Sequence, residues 1–455
     1  MTRKTHTRMC SIAVSRITAL LLLIFCCLAS AETFVVGPND YFPAVVHAKP
    51  GTIIQLKPGI YRYGLQIARL NGTADKPIII EAADPTHPPR FIARERKNTI
   101  SIVDASYVII RNLVLDGVNL PVDAVKAEGF SRYAHHITLE GLQILRHGAN
   151  QEIVGISTKC PAWNWVIRRN VIGRAGTGMY LGNSDGSAPF FAGLIEGNFI
   201  YDTLGYNVQI KHQHTRPSVL PGSHLTIIRH NVFSKYGNSS TGGRARPNVL
   251  VGHFPKEGNG ANDRYAIYGN FFYANPVEVL FQGEGNVALY ANLFVNPFGE
   301  GIHIQPHNDV PKNIWFFHNT VAVKNIGVEL AGEKDAYLRA FTGNAIFAMQ
   351  PDASDWQAEN VVSPPGAATD FLIDPFSFPG HLNLQPKLAM MLKKDLIPAI
   401  SESFPDAELD FDGAPYNMHD IGAYAMNANT PRWRLNLSTK PLKRLSETQP
   451  ITNGK

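Results

Sequence analysis

An all-β solenoid of stacked parallel strands is the fold class this sequence predicts, and three observations predict it. A short apolar phrase centred on asparagine recurs through most of the chain. The runs that flank it are rich in Val, Ile, Phe and Tyr and alternate with period two, the mark of strands rather than helices. Gly 38 and Pro 31 in 455 residues suit a chain that turns often. Hydrophobic residues at 44% and charged residues at 17% exclude a disordered chain and a membrane bundle. The formal net charge of +5 is carried by the ends. Residues 1–31 hold Arg3, Lys4, Arg8 and Arg16 with no acid, and residues 426–455 hold six bases against Glu447, so the body is net acidic. That excludes a globally cationic nucleic-acid binder.

The chain opens on an expected export signal. A basic stretch ends at Arg16, an apolar run covers Ile17 to Leu28, and Ala29-Ser30-Ala31 has the small residues that leader cleavage needs. The run is short for a membrane span, so a secreted or periplasmic protein without stable membrane insertion is expected. Cys10, Cys26 and Cys27 belong to this leader. Cys160 alone remains, and no disulfide framework is expected. Next, residues 41–48 read as a short amphipathic helix capping the first coil, which would otherwise expose core and strand edge.

The recurring phrase then takes over. Val108-Ile109-Ile110-Arg111-Asn112-Leu113-Val114 is one copy, and Trp165-Val166-Ile167-Arg168-Arg169-Asn170-Val171-Ile172 is another. It continues through Asn198, Asn231, Asn270, Asn292, Asn319 and Asn344, with Gly141 taking the place between Asn112 and Asn170. The intervals are 29, 29, 28, 33, 39, 22, 27 and 25 residues, about one coil of two or three short strands each. A single coil cannot bury its inward face, so coils stack. Asparagine tolerates the left-handed backbone and can hydrogen-bond its counterpart one coil away, which predicts an internal ladder. Second strands such as Val154–Ser157, Gly178–Leu181, Asn207–Lys211, Asn248–Val251, Glu278–Phe281 and Gly301–Ile304 accompany the phrase. Residues 32–350 are read as the solenoid of about ten coils, 351–425 as degenerate last coils and a cap, and 426–455 as a basic flexible tail.

These features resemble the single-stranded right-handed parallel β-helix proteins of the pectate-lyase-like superfamily. The opening Pro50-Gly51-Thr52-Ile53-Ile54-Gln55-Leu56-Lys57-Pro58-Gly59-Ile60-Tyr61, followed by Asn71-Gly72-Thr73-Ala74-Asp75-Lys76-Pro77, is similar to the first coils of the alginate and chondroitin lyase family. The closing Asp420-Ile421-Gly422-Ala423-Tyr424 is similar to the way many such helices end. The resemblance implies a right-handed parallel β-helix over about residues 34–425. It implies activity less specifically, because the fold hosts lyases, hydrolases, epimerases and adhesive proteins.

The candidate site is the outward face of the second strands. With Ile156, Met179, Val208, Val249, Val279, Ile302 and Val328 set inward, the outward column reads Lys159, Gly182, Lys211, Gly252, Gln282, Gln305 and Ala331. Asn183, His212 and His253 follow one residue on, with Glu284 and His307 beyond. Between Thr203 and Lys256 there are seven cations and no acid, among them Lys211, Arg216, Arg229, Arg244 and Arg246. Such a window attracts anions. The two longest ladder intervals fall in it, and their extra residues are expected to leave the coil as loops that wall a cleft.

An elongated anionic ligand, a uronic-acid polysaccharide, is the expected partner of a monomeric protein. No paired aspartates offer the two carboxylates that glycoside hydrolysis needs. Eliminative cleavage needs cations to neutralise a carboxylate, a base and a proton donor. Lys211, His212, His253 and Tyr180 are the catalytic candidates. Lys159, Asn183, Arg216, Arg229, Arg244, Arg246, Gln282, Gln305 and His307 are the binding candidates. C5-epimerisation by the same groups and non-catalytic polysaccharide binding in the cell envelope are the alternatives. Repulsion from Arg216, Arg244 and Arg246 is expected to lower the pKa of Lys211. The lyase resemblance implies a catalytic lysine, matched by Lys211, and an Arg-His pair, matched in type by Arg229-His230, although that pair lies in a ladder strand. It also implies calcium, for which Asn183, Asp185 and Glu284 are the hard-oxygen candidates.

Overall fold

The computed structural model describes residues 32–214, 216, 218, 220–332, 337–350, 359–387, 404–417, 419–426 and 433–442. The expected leader lies outside them. Thr33–Val36 pairs in parallel with Ile53–Leu56 and opens a sheet that continues coil by coil to Arg339–Thr342. A second sheet of ten parallel strands runs from Leu65–Ala68 through Val154–Thr158, Thr177–Leu181, Val208–Ile210, Val249–Val251, Phe281–Gly283 and Ile302–Ile304 to Val328–Leu330. A third joins Ile60–Tyr61 to Val361–Ser363 by twelve strands. Each coil contributes one strand to each sheet in turn, so the three sheets form the faces of a parallel β-helix. Its interior is a continuous apolar column that includes the ring stack of Phe233, Phe272 and Phe294. The helix Tyr41–Val46 caps the first coil as expected, with Tyr41 and Val45 buried and the Tyr41 hydroxyl donating to the Gly64 carbonyl at 2.5 Å.

The asparagine ladder is present, in a corrected register. Asn170, Asn198, Asn231, Asn270, Asn292, Asn319, Asn344 and Asn360 form it. The Oδ1 of each later member accepts from both the backbone N–H and the Nδ2 of the one before. None of these asparagines has positive φ. The left-handed residue is the one before: Arg169, Gly197, His230, Gly269, Ala291, His318 and Gly343 have φ between 51° and 68°. Asn112 (φ 60°) and Gly141 (φ 63°) belong to that left-handed row, and the ladder place beside them is filled by Leu113 and Leu142. Asparagine serves two separate purposes at this corner, and the repeated phrase conflates them. A shorter ladder, Asn248–Asn275–Asn296, braces the next corner.

The expectation of a flexible tail fails for residues 433–442. Trp433 packs on Phe271 and Phe411, Leu435 is buried, and the Lys440 ammonium donates to the carbonyls of Gly269 and Phe411. Residues 404–417 and 419–426 run beside the left-handed row towards Gly343, and residues 433–442 come back along it. The Gly422 N–H donates to the Gly343 carbonyl, Tyr416 stacks on His318 with centroids 4.0 Å apart, and Leu442 lies where a side chain at Gly197 would stand. Glycine and alanine in that row leave the groove in which this segment lies.

Candidate functional site

Strand pairing fixes what the second sheet presents. Ile156, Met179, Val208, Val249, Phe281, Ile302 and Val328 are in register and point inward. The strand in Phe281's coil is Phe281–Gly283, two residues later than the sequence predicts, so Val279 belongs to the preceding turn. Two outward columns result. One carries Ser157, Tyr180, Gln209, Leu250, Gln282 and His303. The other, at the strand ends, carries Lys159, Gly182, Lys211, Gly252 and Glu284. The slip moves Gln282 from the Lys211 column to that of Tyr180.

These columns floor an open cleft of about 770 Å³. Of the candidate residues, Lys159, Tyr180, Lys211, Gln282, Arg246 and His307 line it. The turn that follows Val232–Ser234, where the longest ladder interval places its extra residues, supplies Ala245, Arg246 and Pro247 as one wall. Lys126, Tyr206 and Gln209 also line the cleft, together with the carboxylates of Asp123, Glu152 and Glu278. Sequence reasoning missed five of the six and set Glu278 in a strand of the stripe. Tyr206, Glu152 and Glu278 belong to turns before their strands, where a strand-alignment argument has no register, and Lys126 was never aligned with the later coils.

Electrostatics single out two lysines. The Lys159 ammonium lies 3.6 Å from the Tyr180 ring centroid and donates to the Gly182 carbonyl at 3.4 Å. Burial lowers its pKa to about 8. Lys211 lies 6.0 Å from the same ring. Its pKa is also lowered, by burial, while Glu284 pulls it back up. The expected repulsion from arginines is not the cause. Arg216 is sealed in an ion pair with Asp263, and exposed Arg244 pairs with Glu152 at 3.2 Å. Arg246 is turned into its own loop, donating to the carbonyls of Gly243 and Ala245, 5.9 Å from the Tyr206 ring. Among the described residues neither Lys159 nor Lys211 is in an ion pair. Gly182 lets them share the floor: it has φ +103°, and a Cβ there would lie 3.1 Å from the Lys211 Cβ.

Other predicted residues stand elsewhere. His253 is buried, its ring nitrogens against the carbonyls of Phe254 and Val310. His212 packs edge-on against His214, outside the cleft lining. Arg229 lies on the ladder sheet, bonded to Glu196, Tyr268 and Asp406, and so anchors the returning C-terminal segment. Gln305 does not line the cleft. Asn183 and Asp185 bond to Ser187 within an exposed turn. The Glu284 carboxylate is buried and accepts the backbone N–H groups of His253, His307, Asn308 and Asp309. Its oxygens are thereby committed to a loop, so the three oxygen candidates do not form one calcium cage. No group of three His, Cys, Asp or Glu residues suited to a metal occurs among the described residues. No helix among them is long and apolar enough to cross a membrane.

No protein-family model and no curated protein matches the chain. Among solved structures it is similar to the pectate lyase Pel9A, with 13% identity and a TM-score of 0.48 over 87% of this chain and 96% of that one. It is similar to an alginate lyase from Paenibacillus sp. str. FPU-7, with 14% identity and a TM-score of 0.42 over 73% and 98%. A lacto-N-biosidase from Eubacterium ramulus matches with 12% identity and a TM-score of 0.38 over 68% of each chain. The strand pairing decides the architecture. This is a parallel β-helix protein. Its activity has to be argued from the cleft.

Proposed function

We propose that this β-helix protein is an exported polysaccharide lyase that cleaves a uronic-acid polymer by β-elimination. One observation carries the reading: two lysines that are in no ion pair among the described residues flank Tyr180 on the floor of an open cleft. Lys159 and Arg246 offset the charge of the substrate carboxylate, which makes the adjacent C5 proton more acidic. Lys211, its pKa lowered by burial, takes that proton in its neutral form. The C4–O bond breaks, the electron pair forms the C4–C5 double bond, and the leaving oxygen takes the Tyr180 proton. Reprotonation at C5 from the opposite face, without C4–O cleavage, would be epimerisation.

Hydrolysis is the second reading, and the cleft carboxylates favour it. Burial raises the pKa of Asp123, which suits a general acid, and Glu152 and Glu278 line the same cleft. Incubation with alginate, pectate and glycosaminoglycans separates the readings. Ultraviolet absorbance of an unsaturated product supports elimination. New reducing ends without that absorbance support hydrolysis, and binding without either product supports a non-catalytic protein. Cleavage unaffected by a calcium chelator would remove the metal expectation. Detection of mature chains starting after Ala31 in the culture medium or periplasm would support export.

A further inference from the structure

We propose a second, small saccharide site in the C-terminal cap, built by Trp433, Arg434 and His381 and suited to one or two carboxylated sugar units. A cavity of about 330 Å³ lies there between residues 433–435 and the turn 380–383 that leads into the strand Asn383–Pro386, with Tyr424 at its side. That is the lower end of the range for small-ligand pockets. It shares no lining residue with the cleft.

Its parts are matched to a carboxylated sugar. Trp433 is half-buried and held in place by Phe271 edge-on and Phe411 face-on, at 6.3 Å in both cases, so its ring costs little to order. Arg434 is exposed and in no ion pair among the described residues. A guanidinium presents a planar fork of donors that fits a carboxylate, while an indole covers the apolar face of a sugar ring. His381 stands exposed on the same lining, and the Gly380 N–H donates to the Leu435 carbonyl, which ties the two walls together. Asn383 accepts from the Gln385 N–H through Oδ1, which leaves its amide donors for a hydroxyl. The choice of a uronate among carboxylated sugars rests on the reading of the cleft. The aromatic and cationic pairing does not.

The test follows tryptophan fluorescence while the mature chain is titrated with trigalacturonate, and separately with neutral maltotriose. Trigalacturonate should shift the emission of the wild type and of Lys211→Ala alike. Trp433→Phe should abolish that shift, and Arg434→Gln should weaken binding by about tenfold or more, the loss expected for a charge-assisted hydrogen-bonded contact. No shift, an equal response to maltotriose, a shift that survives Trp433→Phe, or unchanged affinity in Arg434→Gln overturns the proposal. Arg434 is exposed, so its substitution reads binding even if Trp433→Phe disturbs packing. A chain that gives this response but cleaves no acidic polysaccharide loses the lyase reading and keeps this site. A chain that cleaves pectate without it loses this site alone.

Discussion

The ammonium of Lys159 stands over the ring of Tyr180, 3.6 Å from its centroid. An ammonium held against an aromatic face is partly desolvated yet electrostatically favoured. The same ring lies 6.0 Å from Lys211, so both cations sense one phenol. Two ammonium groups and a phenol therefore meet at one point of the cleft.

Lys211→Ala should lower kcat by about 10²–10⁴ with little dependence on salt if Lys211 is the base. If it only attracts the polymer, KM should rise instead, and added salt should shrink the difference. Steady-state kinetics at two ionic strengths decides between them. Near-normal turnover at saturating substrate would end the base assignment.

Lys159 loses its proton as pH rises through about 8. Binding of an acidic polymer should weaken across that range, while a base at Lys211 gains competence. A bell-shaped kcat/KM profile is expected, and Lys159→Met should remove the fall on its alkaline side while raising KM at neutral pH. An unchanged alkaline limb in Lys159→Met would show that another group sets it.

Gly182→Ala should cost activity more than stability. The new Cβ would lie 3.0 Å from the Ala188 carbonyl oxygen and 3.1 Å from the Lys211 Cβ, at a backbone φ of +103°. Backbone strain of about 1–3 kcal/mol is expected. A fully active, well-folded Gly182→Ala would show that the Lys211 position tolerates displacement.

In the ladder, Asn270→Ala removes two donors, which serve the Ile228 carbonyl and Asn292, and an acceptor for two donors of Asn231. Leaving buried groups unpaired should destabilise the protein by about 2–4 kcal/mol in urea unfolding. Asn112→Gly should be close to neutral, because Asn112 occupies a left-handed position that glycine adopts freely. Equal losses for the two would contradict the corrected register.

Lys440 adds a pH dependence to stability. Burial lowers its pKa from the ordinary lysine value of 10.5 to about 7 in the folded protein. Between those values the unfolded chain holds the proton that the folded chain releases. Its burial cost is therefore full below pH 7 and fades as pH rises towards 10.5. From pH 7 to 9 the wild type should gain about 2 kcal/mol relative to Lys440→Met. Parallel stability curves for the two would refute the buried charge.

The solenoid was legible because its period writes itself into the chain eight times, and a strand that alternates announces its inward face. The cleft was legible only where alignment held. Lys159, Lys211 and Tyr180 sit on strands whose register the inward residues betray. Glu278 and Gln282 were misplaced, because two residues of turn before Phe281 shift the frame without changing the apolar pattern. Charge counting misled more. Arg216 and Arg229 lie in a window without acids, yet their partners Asp263, Glu196 and Asp406 come from outside it. Sequence distance conceals such pairs, since the next coil is at least twenty residues away and the returning C-terminal segment further still.

That returning segment has a bearing on how the protein can change over evolutionary time. A solenoid ordinarily lengthens or shortens by whole coils, since each coil repeats the interface of its neighbours. Here Tyr416 meets His318, Gly422 meets Gly343, and Lys440 and Leu442 come back to Gly269 and Gly197, so one polypeptide spans the six left-handed rows from Gly197 to Gly343. It behaves as a ruler. Duplicating or deleting a coil between Gly197 and Gly343 would displace Tyr416 from His318 or Lys440 from Gly269 by a full rung of ~4.8 Å. Coil number is thereby held constant across the stretch that carries Lys211 and the Arg246 wall. Relatives that vary in length should do so on the N-terminal side of Gly197 or within surface loops.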